Sequence, residues 1–522
     1  MKNFLTSVII LSISIYTNGQ NNYGKTVLLG YDGLIAEFNG TNRPYVKRLM
    51  PPYTAIVLRG LSSISDSTTG RPLFFCNSRR IFDTLGNTMD NGDRLVDSFI
   101  YNPVNAADLY PQNSIILPLG NKRFFVAIAN ITDSSINHCF NGTQCLPIRS
   151  NSDDWRYNIV DMNMNGGAGK VVVKNQHLLY KTFLKAALQT AVRHANGRDW
   201  WLLKPANDSV PGMYRFLISS DSIIGPMFQP WDDIYAPAWN YTGQLSFSVD
   251  GTKLASVTHF TNKLVTGDFD RCTGLLSNRK EYNIPYDTLI AGIWMDSISM
   301  GVAYSLNNRF IYVSRYANVL QLDTQETDSN LAWYLVKENG DSITPAQPNI
   351  NYCTPYSTLF NGPDGRIYVG HITSGCPYLG ISVIDYPNQK GALCGWCNQC
   401  LPSPAADTIF PSSFSNQPNY NLGPTSNPNC FPSNVPSIPL VPTEFTIYPN
   451  PSFGTIEIRS SCKQEGYFQL YDLHGKLVYK NVLKPNETQT LQLPVYLLNG
   501  LYTYRCTYPE CTGYYGKLSL IR

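Results

Sequence analysis

The sequence predicts an all-β chain, a β-propeller of about seven blades followed by a small C-terminal immunoglobulin-like β-sandwich. Three observations carry that prediction. Gly 38, Pro 35 and 12% aromatic residues among 522 make a mixture that suits short strands and turns better than long helices. A turn–strand unit recurs along residues 20–422. From residue 443 onward the strands change to alternating apolar and polar positions.

The N-terminus is the first element to justify. Lys2 precedes an apolar run over residues 4–16, and Thr17, Asn18 and Gly19 lead to Gln20, so residues 1–19 read as a secretory signal peptide. The run falls short of the ~20 residues needed to span a bilayer, and no later segment is long and apolar enough, so no transmembrane helix is expected. Lys+Arg 40 against Asp+Glu 37 leaves a net charge of +3 with only 15% charged residues. That balance gives no footprint for nucleic acid.

Export would place the 13 cysteines in an oxidising compartment. Their clustering favours local loop-stapling disulfides, with Cys139–Cys145, Cys353–Cys376 and Cys506–Cys511 as the candidate pairs. The run CGWCNQC from Cys394 also has the CxxC spacing of a redox dithiol, and three thiolates can begin a zinc site. However, Pro402 and Pro404 follow where a redox centre needs a helix, and no second CxxC completes a tetrahedron. Structural disulfides are favoured, and no metal or cofactor is assigned. An odd number leaves at least one thiol over unless it bridges to another molecule, and Cys76 in the apolar string LFFC is the expected buried one.

The repeat reads NKRFFVAIA from Asn121, NGRDWWLL from Asn196, DGTKLASV from Asp250, NNRFIYVS from Asn307 and DGRIYVG from Asp364. Weaker copies begin at Lys25 and Gly70. With Leu28, Phe74, Phe124, Trp200, Leu254, Phe310 and Ile367 as markers, the spacings are 46, 50, 76, 54, 56 and 57 residues. Asp-Gly and Asn-Gly supply the positive φ of tight hairpins, and an uninterrupted apolar run suits a strand buried on both faces. A period near ~55 holds four short strands, the size of one propeller blade. Residues 401–442 then carry ten prolines, and 423–442 read as a Pro/Ser/Asn-rich linker between a propeller over 20–422 and the sandwich over 443–522.

Several strings resemble the propeller region common in secreted Bacteroidetes proteins: IVDMNMNGGAGKVVVKNQHLL from Ile159, AVRHANGRDWWLL from Ala191, GQLSFSVDGTKLA from Gly243, FDRCTGLLSN from Phe269, NNRFIYVSRYANVLQLD from Asn307 and GPDGRIYVGH from Gly362. That resemblance implies one continuous propeller and brings no catalytic residues. The C-terminal segment resembles the type IX secretion system sorting domain (type A). Tyr448, Pro449, Asn450, Pro451 and Gly454 match its opening YPNP-G motif. Asp472, Gly475 and Lys476 match its middle turn, Gly500 and Tyr502 its GxY, and Lys517 its terminal lysine motif. The inserted CTYPEC loop from Cys506 departs from the pattern. The resemblance implies passage by the Sec translocase, recognition by a type IX translocon, and a place on the outer-membrane surface or outside the cell.

Signatures of chemistry are missing: there is no HExxH, Walker loop, GxSxG or calcium loop. His194 and His371 read as hydrogen-bonded histidines at strand ends. The doublets Asp153-Asp154 and Asp232-Asp233 would serve a glycosidase only if carboxylates from different blades converged, since adjacent side chains on a strand point to opposite faces. Trp231 and Trp239, in the loop PWDDIYAPAWNY, are the candidate ligand-binding residues, although packing is the commoner role of such rings. The propeller therefore reads as a noncatalytic binding or adhesion module for an unknown extracellular glycan or protein. The alternative is a secreted hydrolase acting on glycans or peptides.

Overall fold

The computed structural model describes residues 21–30, 34–49, 60–97, 111–132, 151–206, 210–231, 243–258, 261–285, 299–315, 318–328, 331–338, 356–371, 380–402, 414–425, 430, 445–449, 452–460, 463–472, 477–485, 487–508 and 514–521. The chain divides between Cys430 and Phe431 into two compact units. Two 3-10 turns, Asn165–Gly167 and Gly391–Cys394, are the helical elements among the described residues. No helix there is long and apolar enough to cross a membrane.

Seven antiparallel sheets follow one another in the first unit, within residues 26–48, 62–82, 114–185, 190–230, 243–283, 299–338 and 356–402. The last five hold four strands each and the first two three described strands each. Spatial order equals chain order in every sheet, so each is a meander of hairpins. The fifth shows the local reason. Its strands Gly243–Phe247 and Lys253–Thr258 meet at Asp250-Gly251, where Gly251 has φ +72 and a Cβ would come within 2.6 Å of Val192. Ser248 Oγ donates to Asp250 Oδ1 at 2.6 Å and accepts Lys253 N at 2.9 Å. Ser305, Asn307 and Phe310 repeat this one blade later.

The basic residue of the repeat acquires a reason that the sequence did not show. In the fourth blade Arg198 pairs with its neighbour Asp199 at 2.9 Å, but in the last three blades the basic residue pairs with an aspartate near the end of the third strand: Lys253 with Asp268 at 2.7 Å, Arg309 with Asp323 at 2.7 Å and Arg366 with Asp385 at 2.8 Å. Those acids lie 15, 14 and 19 residues downstream, too variable a distance to be read as part of the motif.

The second strands Trp200–Pro205, Phe310–Arg315 and Ile367–His371 are buried at every position, as expected of sheets covered on both faces. The cores lie between blades. Leu28 and Ile35 pack on Phe75 and Phe82 between the first and second. One large cluster joins the second, third and fourth, from Phe74 through Phe124 to Trp200. Leu203 meets Leu245 and Leu254, Val257 meets Val302 and Ile311, and Tyr312 meets Leu359 and Val369 at the next three interfaces. Val27, Ala36 and Phe38 then pack against Tyr368, Ile381 and Val383, which closes the seventh blade on the first. Asp385, bound by Arg43 of the first blade and Arg366 of the seventh, adds an ion-pair network to that closure.

Six of the seven markers fall in second strands, while Leu28 falls in the first strand of its blade, directly opposite Ile35. The 76-residue step before Trp200 contains the long strands Asn151–Asp161 and Lys170–Lys185.

The second unit is a sandwich. One sheet orders Phe445–Tyr448, Thr455–Ser460 and Thr488–Gln492, and the other Leu477–Leu483, Gly466–Tyr471, Gly500–Thr507 and Tyr514–Leu520. Its core gathers Ile456, Ile458, Phe468, Leu470, Leu491 and Leu518.

The cysteines depart from expectation. Cys272 and Cys430, 158 residues apart, form a disulfide that local clustering does not suggest, and Cys397 bridges Cys400. Cys506 is a free thiol instead of a bridge to Cys511, because it faces the sandwich core, where burial pushes its pKa up to about 12. Cys76 is free and buried as expected, with its pKa likewise pushed up to about 12 by burial. Cys139, Cys145, Cys353, Cys376 and Cys511 lie outside the described residues.

Candidate functional site

The inner strands of neighbouring blades pack about a common axis that buried side chains bridge. Gln112 forms a two-bond fork across it, its Nε2 donating to Leu245 O and its Oε1 accepting Leu245 N, both at 2.8 Å. Gln244 does the same for Leu359, at 2.7 and 2.9 Å, and its Oε1 also accepts Val302 N. These glutamines occupy peptide groups that inner strands present to the axis.

The segment 414–425 forms one wall above them. Ser415 N donates to Leu28 O, Gln417 Nε2 to Ser63 O, Asn416 Nδ2 to Ser114 O and Gln189 O, and Asn419 Nδ2 to Val249 O, so this strap touches the first five blades in turn. Tyr420 is buried, with its hydroxyl donating to Ile116 O at 2.9 Å. Arg271, also buried, donates to Arg193 O and to Gly423 O. The Cys272–Cys430 disulfide ties down the far end. The stretch expected to be a linker from Gly423 is thus tied to the propeller at Gly423, Thr425 and Cys430.

Between the strap and the hairpins of blades five to seven lies a cavity of about 500 Å³. Its floor includes Gln112, Gln244 and Thr358, and its wall includes Ser246, Phe247, Phe360 and Asn361. Leu306, Pro363 and Asn419 stand exposed on its rim. Among the described lining residues there is no Lys, Arg, His, Glu or Cys. The one carboxylate, Asp364, has its side chain buried; it accepts Tyr368 Oη at 2.6 Å and Arg366 Nη1 at 2.9 Å. Burial and that carboxylate push the Tyr368 phenol far above its ordinary range.

The residues singled out by sequence go elsewhere. Trp231 is 8% exposed and packs with Trp201, Met213 and Leu276 between blades four and five. Its ring lies so close over Gly267 that a Cβ there would come within 2.5 Å. Its place in the core corrects the expectation of a ligand-binding ring: its backbone N–H donates to Pro211 O, which continues the pairing of the blade's last two strands, and its ring is buried against the next blade. Trp239, Asp232 and Asp233 lie outside the described residues. Asp154 accepts Asn130, Arg156 and His177, whereas Asp153 turns the other way to accept Thr132, so the doublet forms no acid/base pair. His194 donates through Nε2 to Cys272 O and accepts Asn196 N at Nδ1. His371 is buried against Ser382 Oγ at 3.0 Å, and burial pushes its pKa down to about 4.

In the second unit Gly454 has φ +107, a conformation that favours glycine. Beside it Ser452 donates through its amide to Ser519 O and accepts Ile521 N, stitching the opening motif to the final strand. The sequence reading passed over that serine. Tyr502 is buried, with its hydroxyl donating to Leu498 O at 2.8 Å. Tyr448 ends the first strand, Pro449 is exposed, Asp472 follows Gly466–Tyr471, Gly500 opens its strand and Lys517 lies in Tyr514–Leu520. Asn450, Pro451, Gly475 and Lys476 lie outside the described residues.

Residues 446–510 match the secretion system C-terminal sorting domain family. The chain ends in a type IX sorting domain. A chain carrying this domain is exported to the cell surface or the extracellular space. No curated protein matches the chain. Among solved structures, a putative 6-phosphogluconolactonase from Bacteroides uniformis is similar at 13% identity, covering 74% of this chain and 97% of its own, with a TM-score of 0.36. The periplasmic gluconolactonase of Pseudomonas aeruginosa is 10% identical over 90% of this chain and 99% of its own, with a TM-score of 0.34. A calcium-binding regucalcin from Agrobacterium tumefaciens is 15% identical over 61% and 83%, with a TM-score of 0.31. At such scores neither substrate nor mechanism carries over.

Proposed function

We propose that the protein is an exported, noncatalytic binding module that captures an extracellular ligand in the axial cavity of its propeller. On this reading the Sec translocase and then the type IX translocon deliver it, with the sorting domain as the address and residues 1–19 as the removed signal.

The observation that carries the binding role is the chemistry of the lining. General acid/base work uses a His, carboxylate, Lys, Cys or Tyr facing the substrate. The described lining has no His, Lys or Cys, its single carboxylate is committed to Arg366 and Tyr368, and its buried Tyr420 hydroxyl is committed to Ile116 O. Amides, hydroxyls and half-buried rings in a cavity of about 500 Å³ are what a reversible small-ligand site requires. The mature full-length chain is to be tested on a glycan and protein array, beside a broad hydrolase screen. Saturable binding without turnover is expected. Turnover abolished by replacing one carboxylate would establish the hydrolase instead.

A further inference from the structure

From the lining and the occupied strand edges we infer that the cavity takes the end of an uncharged glycan. This rests on the binding-module reading above and narrows it to a ligand class. Desolvating an ion beside neutral walls leaves its charge without a partner, which costs far more than desolvating a hydroxyl. The described lining offers no cation to an acidic ligand. To a basic ligand it offers only Asp364, whose oxygens already serve Arg366 and Tyr368.

A peptide is disfavoured on separate grounds. Extended peptides are commonly read by pairing with an open strand edge. Here the peptide groups of Leu245 and Leu359, and the amide of Val302, are bound by Gln112 and Gln244. At about 500 Å³ the cavity holds only a short length of chain, so a polymer presents its end to it.

What remains suits a sugar ring. Asn361 and Gln417 bring amide oxygens that can accept, their nitrogens being bound to Tyr304 O and Ser63 O, and Ser246 brings a hydroxyl that donates to Phe247 O at 3.3 Å and can accept. Phe247 and Phe360 line the wall half-buried, and Phe360 is itself stacked on Phe414 at 5.4 Å and 20°. Rings held in this way present an apolar face to the C–H side of a pyranose while the amides take its hydroxyls.

The test is calorimetric titration of the full mature chain with cellobiose, chitobiose, a galacturonic acid dimer and trialanine. Neutral disaccharides are expected to bind at least about tenfold more tightly than the acidic dimer, and trialanine not at all. Phe360→Ala should weaken the neutral sugars. Because that ring also packs on Phe414, Leu306→Lys provides a second variant at an exposed rim position, 44% accessible. It is expected to raise the ratio of acidic to neutral binding about tenfold. Equal or tighter binding of the acidic dimer, binding of trialanine alone, or no effect of L306K would overturn the inference while leaving a binding module. Failure of every probe to bind would overturn the binding-module reading as well.

Discussion

Two strands of equal length, one from each unit, show how differently the same strand-forming chemistry is used. Phe310–Arg315 in the sixth blade is buried at all six positions. Gly466–Tyr471 in the sorting domain buries Gly466, Phe468 and Leu470 and leaves the residues between them partly or fully exposed. The first strand belongs to a sheet with a neighbour on each side, the second to a sheet with water on one face. The lesson is that periodicity reports the number of covered faces, and aromatic or β-branched content reports only that a strand forms. A further consequence is that a side chain lost from a blade is felt at an interface between two sheets, whereas the sandwich has a single core of its own.

The strongest way to separate the units is to remove one. Deleting residues 446–522 is expected to abolish export completely while leaving the thermal transition of the propeller in place, as followed by surface labelling and calorimetry. Appearance of the truncated chain outside the cell would contradict the sorting role. Within the propeller, Trp231→Ala should cost about 3–5 kcal/mol, the usual range for emptying a buried tryptophan site. Calorimetry should place that loss in the propeller transition alone. A melting point unchanged by the substitution would restore the ring to the surface.

A double replacement of Cys272 and Cys430 by serine should lower propeller stability by about 2–4 kcal/mol in denaturant, since the bridge closes a long loop, and should release the strap to proteolysis. Acid should act on the propeller through His371. Its pKa is pushed down to about 4 from an ordinary 6.5, so the folded state prefers the neutral ring. Stability is then complete above pH 6.5 and declines as pH falls toward 4, by a total on the order of 3 kcal/mol. His371→Gln should flatten that slope in urea midpoints measured across the window. The smallest expected effect is in the sandwich, where Tyr502→Phe removes one buried hydrogen bond to Leu498 and should cost about 1 kcal/mol without moving the propeller transition.

What the sequence determined alone was whatever rests on neighbours in the chain. The Asp250-Gly251 and Asn307-Asn308 hairpins, the apolar runs after them and their period suffice for seven stacked sheets, because turn chemistry and burial on both faces act over a few residues. The spaced motif from Tyr448 to Lys517 was readable as a resemblance to a known sorting domain, and within it residues such as Gly454 and Tyr502 shape local turns and strands of the sandwich. The cavity was not readable. Gln112 finds Leu245, Asn416 finds Ser114, and Cys272 finds Cys430 only once the ring has closed and set distant stretches side by side. Trp231 was misplaced for a related reason at shorter range, since nothing in PWDDIYAPAWNY states that Gly267 of the next blade will lie beneath its ring. Local preference is set by a residue and its neighbours in sequence, but a partner more than a hundred residues away is chosen by the packing of whole blades, and only the tertiary structure contains that choice.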